Sequence, residues 1–206
     1  MHKRLFALPA AALTALVLAG CGSDDTPASA PTPSMAPAPS ASSSATVSTQ
    51  HNDADVMFAQ MMIQHHRQAI DMAKLASSRA ADPEVKDLAT KIQAAQDPEI
   101  QTMSSWLMAW DAPMPTPTPG MDHGGMSMPS MPGMMSEEDM KKLGALSGPE
   151  FDKEFLTMMT AHHRGAIQMA QEQQKNGKNP QAVALAKKIV ADQTAEIAEI
   201  AKLLGS

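Results

Sequence analysis

The sequence is poor in the side chains that support redox and covalent chemistry. It has one cysteine, Cys21, no tyrosine, and only 3% aromatic residues. A disulfide within the chain is therefore excluded, and no Gly-x-Ser-x-Gly elbow is present to supply a serine nucleophile. Basic residues are also fewer than acidic ones, 16 against 22, so a nucleic acid is not expected as a partner.

The N-terminus has the pattern of a secretory signal. A basic start, MHKR, precedes the apolar run LFALPAAALTALVLAG, which is too short and poorly flanked for a stable membrane span. Residues 1–20 are predicted to be a lipoprotein signal peptide, because small residues directly before the cysteine, in LAGC, resemble the lipobox of bacterial lipoproteins. Cys21 is then expected to carry a lipid that anchors the chain on the extracytoplasmic side of a bacterial membrane. An ordinary free thiol is the alternative.

A tether is predicted to follow the signal. Residues 21–52 consist mostly of Pro, Ala, Ser and Thr, with almost nothing apolar to bury. Such a composition cannot offset the entropy of ordering, so a disordered segment is expected. Residues 53–206 are long enough for one domain with a real core.

An internal repeat organises this domain. Shifting the sequence by 97 positions aligns Asp55–Leu107 with Asp152–Leu204 without a gap, and 21 of the 53 aligned positions are identical. Apolar residues recur at helical spacing in both copies, and no alternating strand pattern occurs, so every element is predicted to be helical. DPEV and NPQA each place a capping residue before a proline, which is the signature of a helix start.

The sequence therefore predicts an all-α fold, a four-helix bundle made of two repeated helical hairpins. Repeat one is placed at 53–110, the methionine-rich insert at 111–136, and repeat two at 149–206. The four helices are expected at about 53–79, 83–110, 149–175 and 179–204. A short extra helix is expected to begin at Ser136, where SEED resembles a capping box.

Paired histidines recur at the same place in each repeat, in MMIQHHRQAIDMA and MMTAHHRGAIQMA. Helical spacing puts His65 in the middle of the apolar stripe and stacks methionines one turn away from the imidazoles. Two such helices facing each other would bring up to four histidines and several thioethers towards one volume, a ligand set suited to a soft cation. The candidate metal ligands are Met61, Met62, His65, His66, Met72, Met158, Met159, His162, His163 and Met169.

Polar side chains lie on the apolar stripe of the second helix of each hairpin. They are Gln96 and Glu99 in repeat one and Gln193 and Glu196 in repeat two. Polar groups on a core face need partners, and imidazole N–H groups are the predicted ones. These side chains would then fix the tautomer of metal-binding histidines, and direct ligation by the carboxylates is the alternative.

Packing alone is the competing interpretation of these residues. Methionines at helical spacing usually fill gaps in a core, and an inward histidine is more often hydrogen-bonded to a neighbour than bound to a metal. Here the imidazole pair occurs twice, beside stacked sulfurs and opposite carboxylates, which favours metal binding.

The insert between the hairpins is rich in methionine, proline and glycine, a composition that is not expected to form a core. Its methionines are therefore interpreted as ligands that do not pack, and thioethers suit Cu(I) and Ag(I) far better than hard divalent ions. A plain linker, or a scavenger of oxidants, is the alternative. The predicted metal-capturing residues are Met121, His123, Met126, Met128, Met131, Met134 and Met135.

The duplicated motif HH, followed by AI and MA, resembles the bacterial secreted family called domain of unknown function 305, over Asp55 to Leu204. The resemblance implies a ferritin-like fold with two helices per repeat. It also implies copper, because some members of the family are implicated in extracytoplasmic copper binding and resistance. Di-iron bundles place Glu three residues before His. Met62 and Met159 hold those positions here, which favours soft monovalent copper over iron.

The resulting hypothesis is a lipid-anchored, extracytoplasmic protein that binds copper for sequestration, resistance or transfer and performs no catalysis. A copper chaperone or exporter would be the corresponding protein partner. The alternatives are a structural or interaction module whose core histidines are only hydrogen-bonded, and a metal-dependent oxidase.

Overall fold

The computed structural model describes residues 47–116 and 131–205, which form an all-α fold without strands in that part of the chain. Four of the five helices are long, as the sequence predicts. None of the helices described is long and apolar enough to cross a membrane. The helices are α1 (Asp53–Arg79), α2 (Pro83–Ala109), α3 (Glu137–Ala145), α4 (Gly148–Asn176) and α5 (Pro180–Leu204).

The helix starts follow the capping residues in the sequence. The side chain of Asp82 accepts a hydrogen bond from a backbone N–H in the first turn of α2, and Asn179 does the same at α5. In each case a proline occupies the first turn, where its missing N–H costs nothing. Ser136 and Asp139 form a reciprocal capping box at α3, which confirms the short helix that SEED predicts.

Helices α1 and α4 form the centre of the bundle, α2 packs on α1 and α5 packs on α4. One apolar cluster joins Phe58 of α1 to Met169 of α4, and the other joins Met72 of α1 to Phe155 of α4. The beginning of each central helix therefore meets the end of the other, so α1 and α4 are antiparallel. Residues near the middle of both helices, which include the histidine pairs, are brought face to face.

Two buried aspartates tie the hairpins together. The Asp55 carboxylate in α1 accepts hydrogen bonds from the backbone N–H groups of Lys178 and Asn179, at the turn between α4 and α5. The equivalent Asp152 in α4 accepts from the backbone N–H groups of Ala81 and Asp82, at the turn between α1 and α2. Each central helix thus satisfies the backbone of the opposite hairpin's turn, which fixes how the two repeats pack.

The predicted tether extends too far at its C-terminal end. Residues 47–52 contact the helices: Val47 packs against the first apolar cluster, and the backbone carbonyl of Ser48 accepts hydrogen bonds from Trp110 Nε1 and Asn179 Nδ2. Buried indole and amide donors need acceptors, and this segment supplies them. The ordered region therefore begins before residue 53. The predicted lipidation residue and four of the predicted insert ligands lie outside the described residues. They are Cys21, Met121, His123, Met126 and Met128.

Candidate metal centre

All four histidines of the paired motifs are buried with 0% exposure. Their positions follow from the antiparallel arrangement of α1 and α4, because His65 and His162 occupy equivalent places near the middle of each helix. The two rings lie 3.7 Å apart between centroids, tilted by 38°. The histidines that the sequence duplication relates therefore meet directly at the centre of the bundle.

Carboxylates on the outer helices hold the second histidine of each pair. His66 Nε2 lies 2.8 Å from Glu99 Oε2, and His163 Nε2 lies 2.6 Å from Glu196 Oε2. A carboxylate only accepts hydrogen bonds, so Nε2 carries the hydrogen in both rings. In a neutral ring this leaves the lone pair on Nδ1, which is the nitrogen able to bind a metal.

The pKa of Glu99 is consistent with an ionised acceptor. Burial acts to raise this pKa, but the hydrogen bonds from His66 and Lys188, together with the Lys188 charge, outweigh burial and leave it below its usual value. Lys188 lies on α5 in repeat two, and its Nζ is 3.1 Å from Glu99 Oε1 in repeat one. The carboxylate therefore stays charged and fixes the His66 tautomer.

His65 is held by the end of the insert. Its Nε2 lies 3.0 Å from the carbonyl oxygen of Pro132, which again assigns the hydrogen to Nε2 and the lone pair to Nδ1. Burial lowers the pKa of His65 to about 3, against the opposing effect of this hydrogen bond. The ring is therefore neutral at physiological pH.

His162 is the least satisfied of the four. Burial, followed by the neighbouring histidines, lowers its pKa well below the usual value. Neither of its ring nitrogens makes a hydrogen bond of standard geometry to a described residue, and Nδ1 of His65, His66 and His163 is also buried without a partner. Buried polar atoms are normally paired, so this set of nitrogens indicates a ligand.

The rings are adjacent but do not form a ready-made ligand set. Within residues 47–116 and 131–205, no three His, Cys, Asp or Glu side chains are disposed to hold one metal ion together. Hydrogen bonds to Glu99, Glu196 and Pro132 orient three of the rings separately, and the His162 ring lies tilted against that of His65. An ion would be held by one or two imidazoles with thioethers, or after the rings rotate.

The predicted thioethers are buried near these rings, within the two apolar clusters. Met61 and Met169 belong to the first cluster, and Met72, Met158 and Met159 belong to the second. Met62, in the first cluster, is fully buried. The amides of Gln96 and Gln193 are buried as well, and both amide atoms of Gln96 and the oxygen of Gln193 have no hydrogen-bond partner among the described residues.

The insert returns to the bundle over the histidine centre. Gln68 of α1 exchanges two hydrogen bonds with the backbone of Met135, at 2.7 and 2.8 Å. Gly165, the equivalent residue of α4, allows Pro132 and Gly133 to approach so closely that a Cβ there would lie 1.9 Å from the Pro132 oxygen. Gly133 itself has φ of +76°, which favours glycine.

The expectation that the insert's methionines do not pack is wrong for its C-terminal end. Met131 is buried in the first cluster, Met134 packs against that cluster, and Met135 packs against the second. The close approach at Gly165 brings this segment onto the bundle, where its side chains complete the core.

Several residues of this site are not predicted by the sequence reasoning. Asp55 and Asp152 are the first aligned pair of the duplication, and their identity in the two repeats could have predicted a structural role. Gly165 was another, because glycine inside a helix costs about 1 kcal/mol relative to alanine and calls for a packing reason. Pro132 and Gln68 carry no comparable signal.

The comparisons with known proteins agree with this architecture. The sequence model of the family described as domain of unknown function (DUF305) matches residues 55–204, and the chain belongs to this family. A DUF305 protein of Streptomyces coelicolor, described as secreted, is 37% identical with a TM-score of 0.66, over 74% of this chain and 92% of that chain.

A copper-bound structure is also similar to this chain. CopM in a Cu(II)-bound form is 33% identical with a TM-score of 0.61, over 73% of this chain and 95% of that chain. CopM has Cu(I)-bound and Ag-bound forms too. The uncharacterised protein L153 of Acanthamoeba polyphaga mimivirus is 41% identical over 61 residues, 30% of this chain and 40% of the relative's length.

Proposed function

We propose that this protein binds copper, in the first place Cu(I), through the histidines of α1 and α4 together with neighbouring methionines. The proposed ligands in repeat one are Met61, Met62, His65, His66 and Met72, and those in repeat two are Met158, Met159, His162, His163 and Met169. Copper is the cargo of the protein, which would serve sequestration, resistance or transfer without catalysis.

The unpartnered ring nitrogens carry this proposal. Three rings are oriented through Nε2 by oxygen acceptors, and their Nδ1 atoms are buried without a hydrogen-bond partner in the part of the chain that the structure describes. Leaving such groups unpaired costs about 1–3 kcal/mol each, a cost that coordination to a metal would remove. Carboxylate-oriented histidines are also the usual arrangement around metal ions in proteins.

The neighbouring donors favour a soft ion. Glu99 and Glu196 are directed at imidazole N–H groups, so the other donors of the paired motifs are the six buried thioethers of the proposed ligand set. Imidazole and thioether together suit Cu(I), whereas Mg²⁺, Ca²⁺ and Mn²⁺ prefer oxygen ligands. The copper-bound and silver-bound forms of the similar protein CopM support the same choice of metal.

We further propose that the protein works outside the cytoplasm and is anchored by a lipid on Cys21. In the histidine site, Gln96 and Gln193 would be supporting polar groups. Met121, His123, Met126 and Met128 of the insert would capture the ion or hand it over. The LAGC sequence and the similarity to a DUF305 protein described as secreted support this location. Mass spectrometry of the protein purified from bacterial membranes tests the anchor, since acylation adds a defined mass that Cys21→Ser removes.

Anaerobic titration with Cu(I) against a chromophoric chelator tests the function. The variant His66→Gln/His163→Gln keeps a polar side chain beside each glutamate but removes two Nδ1 donors. We expect it to bind Cu(I) at least about tenfold more weakly than the wild type, a loss of about 1.4 kcal/mol.

His51→Gln is the matched control, because His51 is exposed and stacks on Trp110 away from the paired motifs. Equal Cu(I) affinity in all three proteins would reject the bundle site. It would favour the alternative in which the core histidines serve packing only, an alternative that the close contact of the His65 and His162 rings also fits.

A further inference from the structure

A cavity of about 320 Å³ lies between the beginning of α1 and the end of α4. Its walls combine methionine side chains with polar residues at the rim, and Pro132 of the insert forms part of the lining. The lining includes Ala54, Met57, Met61, Pro132 and Met169.

Three thioethers line this cavity. Met57 and Met61 are four residues apart, so they lie one turn apart on the same face of α1, and Met169 lies opposite on α4. Met57 is 45% exposed, whereas Met61 and Met169 are only 8% and 9% exposed. The sulfur-bearing side chains therefore extend from the solvent into the bundle.

One residue, Pro132, links the cavity to the buried histidine pairs. Pro132 lines the cavity, and its carbonyl oxygen is the hydrogen-bond partner of His65 Nε2 at 3.0 Å. A ligand that passes the methionines therefore arrives next to the group that orients His65.

The equivalent surface at the other end of α1 and α4 is covered. Glu154 is the residue equivalent to Met57, and it pairs with Lys142 of α3 at 2.8 Å. Leu143 of α3 is fully buried in the second apolar cluster, and Arg79 donates a hydrogen bond to the Leu146 carbonyl. Helix α3 thus occupies the place that the cavity leaves open.

We propose that this cavity is the port through which a soft monovalent cation reaches the histidines, with Met57, Met61 and Met169 as its first binding site. The inference rests on the proposed function, which it extends by giving the bundle a route of loading. Thioethers hold Cu(I) and Ag(I) without a proton to displace, so they can pass the ion on to imidazole nitrogens.

Silver titration by nuclear magnetic resonance tests the first binding site. In the full protein with ¹³C-labelled methionine methyl groups, substoichiometric Ag(I) should shift the Met57, Met61 and Met169 resonances. Met108 is the internal control, because it is 68% exposed and does not line the cavity. If Met57 responds no more than Met108 while imidazole signals shift, the port is rejected and copper binding survives.

Loading kinetics separate the port from the final site. Cu(I) transfer from a chromophoric chelate, followed by stopped flow, should be several-fold slower for Met57→Leu, with unchanged Cu(I) affinity at equilibrium. Leucine keeps the apolar volume and removes only the sulfur. Met108→Leu should load at the wild-type rate.

A second variant tests the route itself. Ala54→Phe places a ring in the cavity wall and should slow loading even though every sulfur remains. Wild-type loading rates in both Met57→Leu and Ala54→Phe would overturn the port. If the wild type itself takes up neither Cu(I) nor Ag(I), the proposed function fails instead.

Discussion

The two ends of the α1 and α4 pair carry equivalent residues but differ in what lies over them. At one end α3 covers the helices, with Leu143 buried and Lys142 paired to Glu154. At the other end Met57 stands in place of Glu154, no helix within residues 47–116 and 131–205 covers it, and the cavity of about 320 Å³ opens there. The duplication supplies two similar ends, and the residues between the repeats close one of them.

Because of this difference, the proposed binding centre and the route to it depend on different parts of the chain. The histidines are duplicated together with their glutamates, so the centre depends on both repeats equally. In the proposed port, access would depend on α3 and on the Pro132 segment, neither of which is repeated. A protein that must load an ion gains from one defined entrance, since a buried site open at both ends would exchange with solvent more freely.

The largest expected effect is at the aspartate that anchors the open end. Asp55→Ala leaves the Lys178 and Asn179 backbone N–H groups and the Gln173 amide without their acceptor, so we expect a loss of about 3–5 kcal/mol in the free energy of unfolding. Asp152→Ala frees two backbone N–H groups, and we expect about 1–3 kcal/mol.

Urea denaturation of both variants measures this comparison, with Asp53→Ala as the control in the first turn of α1. Equal losses for Asp55→Ala and Asp152→Ala would show that the two ends are anchored with the same strength. If neither variant lowers the free energy of unfolding more than Asp53→Ala does, the two aspartates do not anchor the turns.

A smaller effect is expected at the covered end. Leu143 is the one buried residue of α3, so Leu143→Ala should lower the free energy of unfolding by about 2–4 kcal/mol, through lost burial and the cavity left behind. It should also loosen α3, which hydrogen exchange of the α3 amides would detect. Met140→Ala, a partly buried neighbour, is the control. Unchanged protection of α3 would mean that Leu143 does not hold the cover in place.

The last effect concerns pH and compares the two central histidines. The pKa of His65 is lowered to about 3, and that of His162 is lowered as well, so the unfolded chain binds protons more readily than the folded one. Stability is therefore complete above the unfolded pKa of about 6.5 and falls as pH decreases from there towards 3, by about 1–3 kcal/mol per pH unit.

Urea midpoints at pH 7 and pH 5 measure this dependence in the metal-free protein. His65→Gln/His162→Gln should flatten it, and each single variant should remove part of it. His51→Gln should leave it unchanged. A slope that survives in the double variant would assign the acid sensitivity to other groups.

The helices and the inward histidines could be predicted from the sequence because they depend on local rules. Helical spacing of apolar residues put His65 on the buried face, and Asp82 and Asn179 before proline marked two helix starts. The meeting of His65 with His162 was predicted from facing two equivalent helices, whereas their antiparallel direction was not predicted. These features need only the period of the helix and the duplication.

The remaining features depend on contacts between distant segments, which no local rule contains. The return of Pro132 onto Gly165 brings residues together that are 33 positions apart and directs a backbone oxygen at His65. The separate orientation of the imidazoles by Glu99, Glu196 and Pro132 likewise follows from where α2, α5 and the insert pack. For this reason the sequence predicted a shared volume, and the structure shows adjacent rings that different acceptors orient separately.

Ring-nitrogen resonances give the most direct test of the central claim that the inward imidazoles bind the ion through Nδ1. In the ¹⁵N-labelled protein, one equivalent of Ag(I) should shift Nδ1 of the paired histidines while Nε2 of His66 and His163 keeps its hydrogen. His51 should not change. Nitrogen resonances of the paired histidines that stay fixed while the methionine methyl groups respond would contradict the account, because the ion would then be held by sulfur alone.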